Sequence, residues 1–217
     1  MNAIALLSGG LDSTVAAWLA AREMTVTLAL TCDYGQRAAA REIEAAAHIA
    51  AALGVPHTVV SLPWVKTVAH DALTDASRSL PELTPEELDS TAAVQSAAAV
   101  WVPNRNGLLL NIAGVFAEAL RCGAIIVGFN AEEGTTFPDN TPAFMHAAER
   151  AFGFSTQQGL QVVSPTVAMT KREIVQAGQE SGAPLDFVWS CYEGGPAPCR
   201  KCESCLRSQR AFAGADG

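Results

Sequence analysis

The sequence predicts an α/β protein: a Rossmann-like parallel sheet with helices on both faces, followed by a four-cysteine tail. Three observations predict it. Short apolar runs alternate with longer helical patterns from Ala3 to Leu62. Two glycines follow the first apolar run directly, and four of the six cysteines crowd into the last 27 residues. Strands that alternate with helices are joined by crossovers, and crossovers make the sheet parallel.

The elements follow in order. Residues 3–7 are a short apolar run with no basic region before it, so they read as a first strand and not as a secretory leader. Val15, Trp18 and Leu19 then share one helical face. Residues 25–31 give a second strand, and residues 37–53 an alanine-rich helix stopped at Gly54-Val55-Pro56. Residues 57–62 supply a third strand. From 63 to about 99 the alternation fails, and Pro63, Pro81, Pro85 and several acids mark an insertion of short helices and loops. It resumes with a helix at about 107–122, a strand at 124–128 and a helix near 143–152. An apolar run at 160–164 and a helix at 171–181 follow, and the tail occupies about 189–213. Residues 1–217 together read as one domain.

Composition excludes several classes of function. With 49% apolar and 17% charged residues, the chain has the make-up of a globular protein and not of a disordered one. Fourteen basic against twenty-two acidic residues leave a net charge of -8, which argues against a protein that grips nucleic acid through its phosphates. No apolar stretch approaches the ~18 residues that cross a bilayer. The expectation is a cytoplasmic protein with neither a membrane nor a nucleic-acid partner. Disulfides are rare in that compartment, so the cysteines need another explanation.

Ser8-Gly9-Gly10-Leu11-Asp12-Ser13 lies between the first strand and the first helix. Paired glycines let the backbone approach a phosphate closely, and the N–H groups and dipole of the following helix favour negative charge there. Ser8 and Ser13 add hydroxyls, and Asp12 either holds Mg2+ or orders the loop. The bland alternative is a glycine turn with a Ser or Asp helix cap. A Walker loop would carry a lysine after its last glycine, and none stands here. Asp33-Tyr34-Gly35-Gln36-Arg37 follows the second strand and so lands at the same edge of the sheet, either as ligand contacts or as a plain strand-to-helix turn. Lys171, at a helix start, is either a cation for pyrophosphate or a solvated surface lysine.

Cys191, Cys199, Cys202 and Cys205 stand at C-x7-C-x2-C-x2-C, a spacing that wraps four thiolates around Zn2+. An iron–sulfur cluster or a redox Cys-x-x-Cys are the competing readings. Four thiolates leave no open position on the metal, so its role would be structural. Cys32 and Cys122 lie in apolar surroundings and read as ordinary buried thiols.

The phosphate loop resembles that of the PP-loop ATP pyrophosphatases, which split ATP between its α and β phosphates. It is joined in order by Asp33-Tyr34-Gly35-Gln36, Val102-Pro103-Asn104-Arg105-Asn106, Gly128-Phe129-Asn130-Ala131-Glu132 and Thr170-Lys171-Arg172-Glu173-Ile174. Trp189-Ser190-Cys191-Tyr192 and the run from Cys199 to Cys205 complete the set. Taken together, these motifs resemble the 7-cyano-7-deazaguanine synthase family of queuosine-precursor synthesis, over nearly the whole chain.

The resemblance implies a HUP-type (adenine nucleotide α hydrolase-like) sheet and conversion of 7-carboxy-7-deazaguanine, ammonia and ATP into the 7-cyano compound. The route it implies passes through an adenylated acid and then an amide. It also implies ATP with Mg2+, structural Zn2+ on the four cysteines, ammonia taken from solution and a homodimer. By this resemblance Leu7, Ser8, Gly9, Gly10, Leu11, Asp12, Ser13, Thr14, Val15, Ala16 and Ala17 line the ATP phosphates. Asp12 organises Mg2+, Lys171 touches pyrophosphate, and Arg105 meets phosphate or the substrate carboxylate. Glu132 and Asp139 accept hydrogen bonds from the guanine-like ring. Trp101 and Trp189 either stack on a base or pack in the core. Many relatives carry Pro-Asp-Cys-Arg-Pro where this chain has Pro138-Asp139-Asn140-Thr141-Pro142, with Arg150 or Arg172 as replacements for the missing arginine. Three rival functions stand beside this activity: another PP-loop ligase with a different acceptor, such as a tRNA-modifying enzyme; a nucleotide-binding module without catalysis; and the same activation used to attach the deazaguanine group to another molecule.

Overall fold

In the computed structural model, which describes residues 1–215, five strands form one all-parallel sheet. They are β1 (Asn2–Leu6), β2 (Thr25–Asp33), β3 (His57–Ser61), β4 (Ala124–Ile126) and β5 (Gln161–Val163). The longer helices are α1 (Leu11–Ala20), α2 (Ala39–Leu53), α4 (Thr91–Ala99), α5 (Arg105–Ala119), α7 (Pro142–Ser155), α8 (Lys171–Ser181) and α9 (Glu203–Ala215). Single turns, α3 (Val65–Val68) and α6 (Ala131–Gly134), complete the set.

Across the sheet the order is β3-β2-β1-β4-β5. The chain builds outward from β1 to one edge, then returns to the other flank of β1 with β4. That reversal opens a crevice beyond the carboxyl ends of β1 and β4, the place where such sheets bind ligands. Side-chain alternation along β1 sorts the two faces. Ala3, Ala5 and Leu7 meet the alanine-lined sides of α1 and α2, whereas Ile4 joins Leu28, Leu30 and Ile125 beneath α5 and α7. Outside α1, Val15 packs on Ile174 and Val175 of α8 and Ala211 of α9.

Residues 63–99 carry α3, a 3-10 turn at Pro85–Glu87 and α4. Ala72, Leu73 and Val100 pack there against Cys32, Tyr34 and Val102, which roofs the carboxyl ends of β2 and β3. Several expected bounds shift, with α5 running Arg105–Ala119 and not to residue 122. β4 ends at Ile126 and not at residue 128; Val127 N–H still donates to Val163 O at 2.9 Å, and at Gly128 the chain runs so close to the loop after β1 that a Cβ would collide with the Ser13 backbone. The one-turn α6 is absent from the sequence expectations, since four residues are too few to show a helical period, and so is α9, whose 13 residues stand in the cysteine tail.

Gly9 fixes how the loop after β1 sits. Its φ is +78°, and a Cβ there would stand 2.5 Å from Glu42 O and 2.8 Å from Ala45 Cβ on α2. A side chain is therefore excluded both by backbone conformation and by contact. Gly9→Ala is expected to cost about 1–3 kcal/mol, a fall of several degrees in the thermal midpoint. Thermal unfolding followed by circular dichroism checks this, and an unchanged midpoint would refute the packing.

Candidate active site

The loop from β1 to α1 is braced by its own hydroxyls. Ser8 N–H donates to Ser13 Oγ at 3.2 Å, the two hydroxyls lie 3.0 Å apart, and Gly10 N–H donates to Ser8 Oγ at 3.3 Å. Gly10 is the N-cap of α1 and contributes no side-chain cap, so the first-turn N–H groups remain free for an anion. Leu7, Ser8, Gly10, Leu11, Asp12 and Ser13 border a cavity of about 280 Å³. Gly9 supports them from α2, while Thr14, Val15, Ala16 and Ala17 are buried in α1 and do not border it.

Three charges converge at the mouth of this loop. Lys171 Nζ, at the first position of α8, donates to Asp12 Oδ2 and, at 2.7 Å, to Glu133 Oε1. Thr170 positions the lysine through a capping box with Glu173, and Lys171 N–H donates to Glu132 Oε1 at 2.8 Å. The Lys171 side chain is 12% exposed and that of Asp12 is 16% exposed. Burial raises the Asp12 carboxyl to about 6 against the pull of Lys171. Burial alone would also strip the lysine of its proton, but Asp12 and Glu133 hold the ammonium above its ordinary range. Glu133 is likewise raised by burial, and Lys171 and Arg105 outweigh that to keep it ionised. Asp12 Oδ1 is buried with no hydrogen-bond partner.

The other end of the cavity is built from β2, α5 and the turn before α7. Gln36 Oε1 accepts from Tyr34 N–H at 3.0 Å, and Gln36 Nε2 donates to buried Glu42 at 2.7 Å, so the motif after β2 is organised from within. Arg105 opens α5, donates to Asn106 Oδ1 at 3.3 Å and to the Tyr34 hydroxyl at 3.5 Å, and borders the cavity. Burial opposes its charge, but Tyr34, Asp139 and Glu133 hold it. Asp139 is carried by the turn Pro138–Asn140. Its carbonyl accepts from Asn106 Nδ2 at 3.2 Å and its Oδ1 from Asn140 Nδ2 at 3.3 Å. Burial pushes the Asp139 carboxyl above its ordinary value, with Arg105 opposing.

The sequence-selected residues thus divide. Asp12, Lys171, Arg105 and Asp139 share one cavity. Glu132 does not border it; its carboxylate is occupied by Lys171 N–H and by Arg207 and Arg210 at 3.4 and 3.6 Å. Its neighbour Glu133 faces inward instead. The available signal was Asn130, whose Oδ1 accepts from Glu133 N–H at 2.9 Å: an Asn N-cap turns the acid three residues on back toward the strand end. Arg150 and Arg172 are exposed and do not border the cavity, so neither replaces the missing arginine there. The cations that do border it, among the described residues, are Arg105, Lys171 and Arg207. Asn140 and Thr141 have structural duties, with Thr141 Oγ1 capping α7 through Phe144 N–H at 3.2 Å. Trp189 is half-buried against the core and donates its backbone N–H to Gly9 O at 2.8 Å. Trp101, at 36% exposure, is not a core residue and borders the cavity.

The tail closes one side. The thiol sulfurs of Cys191, Cys199, Cys202 and Cys205 lie within 4.8 Å of one another, a set able to hold a metal ion. Backbone N–H groups of Glu193 and Cys199 both donate to Cys191 Sγ at 3.3 Å, as suits thiolate ligands. From this cluster α9 runs into the cavity wall. Arg207 Nε donates to Glu203 at 2.9 Å and Arg207 Nη2 to Leu88 O at 2.9 Å. Tyr192, Glu203 and Arg207 border the cavity and carry no site role in the sequence reading, because nothing in their local spacing shows which way the cysteine tail will face.

A parallel sheet whose first strand delivers a two-glycine loop to a partly buried acid and lysine is the frame of this site, and the chain's relatives place it among the ATP-dependent ligases of the PP-loop class. The chain belongs to the family described as "Queuosine biosynthesis protein QueC", whose model matches residues 2–216. It is 47% identical over 216 residues to the 7-cyano-7-deazaguanine synthase of Methanosarcina mazei, covering 98% of this chain and 94% of that protein. With the 7-cyano-7-deazaguanine synthase of Desulforamulus reducens the identity is 50% over 213 residues, covering 98% of this chain and 93% of that protein. Among solved structures, a 4-thiouridine synthetase in an RNA complex with bound ATP has the same fold, with a TM-score of 0.53 at 16% identity. That match covers 98% of this chain and 53% of the synthetase.

Cys202→Ser removes one thiolate from the four and is expected to lower bound metal below about one equivalent per chain, with a lower thermal midpoint. Elemental analysis beside thermal unfolding checks both. Full metal content in the variant would contradict the cluster.

Proposed function

We propose that this chain catalyses the ATP-dependent conversion of 7-carboxy-7-deazaguanine and ammonia into 7-cyano-7-deazaguanine. One observation carries the reading: a single cavity joins the phosphate loop and Lys171 at one end to Arg105 and Asp139 at the other. A nucleotide phosphate and a small carboxylic acid can therefore meet within it.

A carboxylate is a poor electrophile until one of its oxygens becomes a leaving group. Its attack on the α-phosphate of ATP forms an acyl adenylate and releases pyrophosphate. Ammonia then displaces AMP and leaves the amide. Attack of the amide oxygen on a second ATP releases a second pyrophosphate, and loss of AMP with the remaining N–H protons gives the nitrile. The residues position and neutralise rather than form covalent bonds. The amides of the phosphate loop and the hydroxyls of Ser8 and Ser13 bind the phosphates. Lys171, already a cation between two carboxylates, meets the departing pyrophosphate. Arg105 orients the substrate carboxylate, and Asp139 accepts from the N–H edge of the ring. Asp12, with its unpaired oxygen, would hold Mg2+, which when bound neutralises phosphate charge. The four cysteines would hold Zn2+ as a closed, structural site that fixes Tyr192 and α9 against the cavity. The reading also puts the enzyme in the cytoplasm, where Cys32 and Cys122 stay as the free thiols seen here.

Incubation with ATP, Mg2+, ammonium and 7-carboxy-7-deazaguanine is expected to give AMP and pyrophosphate only when the acid is present. ADP with inorganic phosphate would overturn the mechanism. Lys171→Ala is expected to lower kcat by about 10²–10³-fold. Asp139→Ala is expected to raise KM for the acid by roughly tenfold or more, and an unchanged KM would remove Asp139 from ring recognition.

A further inference from the structure

Trp101 is a large indole standing at the rim of the cavity with about a third of its surface open. Neither the phosphate loop nor the charged cluster gives it a task. Its ring lies 6.0 Å from that of Phe137, centroid to centroid, with only 9° between the planes. Phe137 is itself tied down: its N–H donates to Glu133 O at 2.7 Å, and its carbonyl accepts from Asn140 N–H at 3.0 Å. One face of the indole is thus backed by a fixed ring, and the residue adjoins the cavity.

The two aromatic residues come from the two segments that carry polar anchors for the substrate. Trp101 precedes Arg105 on the entry to α5, where Arg105 N–H donates to Val102 O at 3.3 Å. Phe137 opens the turn that presents Asp139. The cavity that Trp101 borders is also bordered by the Asp139 carboxylate and the Arg105 guanidinium, an acceptor and a donor for a flat heteroaromatic ring bound there. A guanine-like ring offers adjacent N1–H and N2–H donors, which a carboxylate accepts as a pair. Adenine has no such pair, so the Asp139 edge selects the deazaguanine and leaves the nucleotide to the phosphate-loop end.

We propose that Trp101 is the stacking platform for the deazaguanine ring, with Phe137 holding the indole plane and Asp139 reading the ring's N–H edge. The assignment rests on the proposed reaction and names a specificity residue for it. Base–aromatic stacking is sequence-tolerant in strength, so the platform supplies affinity for a flat ring while Asp139 supplies the choice among rings.

The test is steady-state AMP formation by the full-length enzyme and by Trp101→Ala, Trp101→Phe and Phe137→Leu, varying the acid and ATP separately. Trp101→Ala is expected to raise KM for the acid by about tenfold or more while KM for ATP stays within about twofold. Trp101→Phe is expected to restore most of the affinity, and Phe137→Leu to give a smaller change in the same direction. An unchanged KM for the acid, or a rise in KM for ATP instead, would overturn the platform. Titration of intrinsic fluorescence with 7-carboxy-7-deazaguanine in the wild type and in Trp101→Phe gives a second reading that needs no turnover and no alanine variant. The quench expected in the wild type should be largely lost in Trp101→Phe, and equal quenching in both would also overturn it. Absence of AMP formation by the wild type would instead count against the proposed reaction.

Discussion

The ammonium of Lys171 lodged between Asp12 and Glu133 is the interaction on which the site depends. It ties together the first turn of α1, the single turn α6 and the start of α8, three elements far apart in the chain. Without that cation two partly buried carboxylates would face each other beside the loop after β1, a repulsion that favours protonation of one of them. With it, one Asp12 oxygen is spent on the lysine and the other is left unpaired. The buried charge costs stability compared with an apolar contact of the same size, a pattern expected where a site is arranged for a ligand. A cation fixed beside uncapped helix N–H groups needs no rearrangement to meet a polyanion.

The sheet and its loop were legible in the sequence because both obey local rules. Strand runs, the glycine pair and the capping box before Lys171 each announce themselves within a few residues, and the observed elements fall within a few residues of the expected ones. What escaped was set by contacts between distant segments. Gly128 lies against the Ser13 backbone with no room for a Cβ, a constraint invisible from either segment alone. Glu132 and Glu133 are adjacent and chemically alike, and only the Asn130 cap decides which of them enters the cavity. Sequence leaves Trp101 between base stacking and core packing, and only the folded chain, in which it is 36% exposed and borders the cavity, removes the core reading.

The cysteine tail makes the case most clearly. Its spacing identifies a metal-binding set at once, but not what the metal is for. In the structure the cluster orients a loop strapped by Arg37 to Glu193 at 3.2 Å and by Arg41 to Gly195 O at 3.0 Å. It also launches α9, whose Arg207 pairs with Glu132 and so touches the same turn that carries Glu133. This four-cysteine set, able to hold a metal ion, therefore bears on the cavity through position, by fixing which side chains of the tail become its wall.

The central claim is that this cavity brings the carboxylate of a small acid to the α-phosphate of ATP. Its most direct measurement follows oxygen from 18O-labelled 7-carboxy-7-deazaguanine by mass spectrometry during turnover. Transfer of one labelled oxygen into the phosphate of AMP is the expected result. Label recovered in pyrophosphate or inorganic phosphate, with unlabelled AMP, would contradict it.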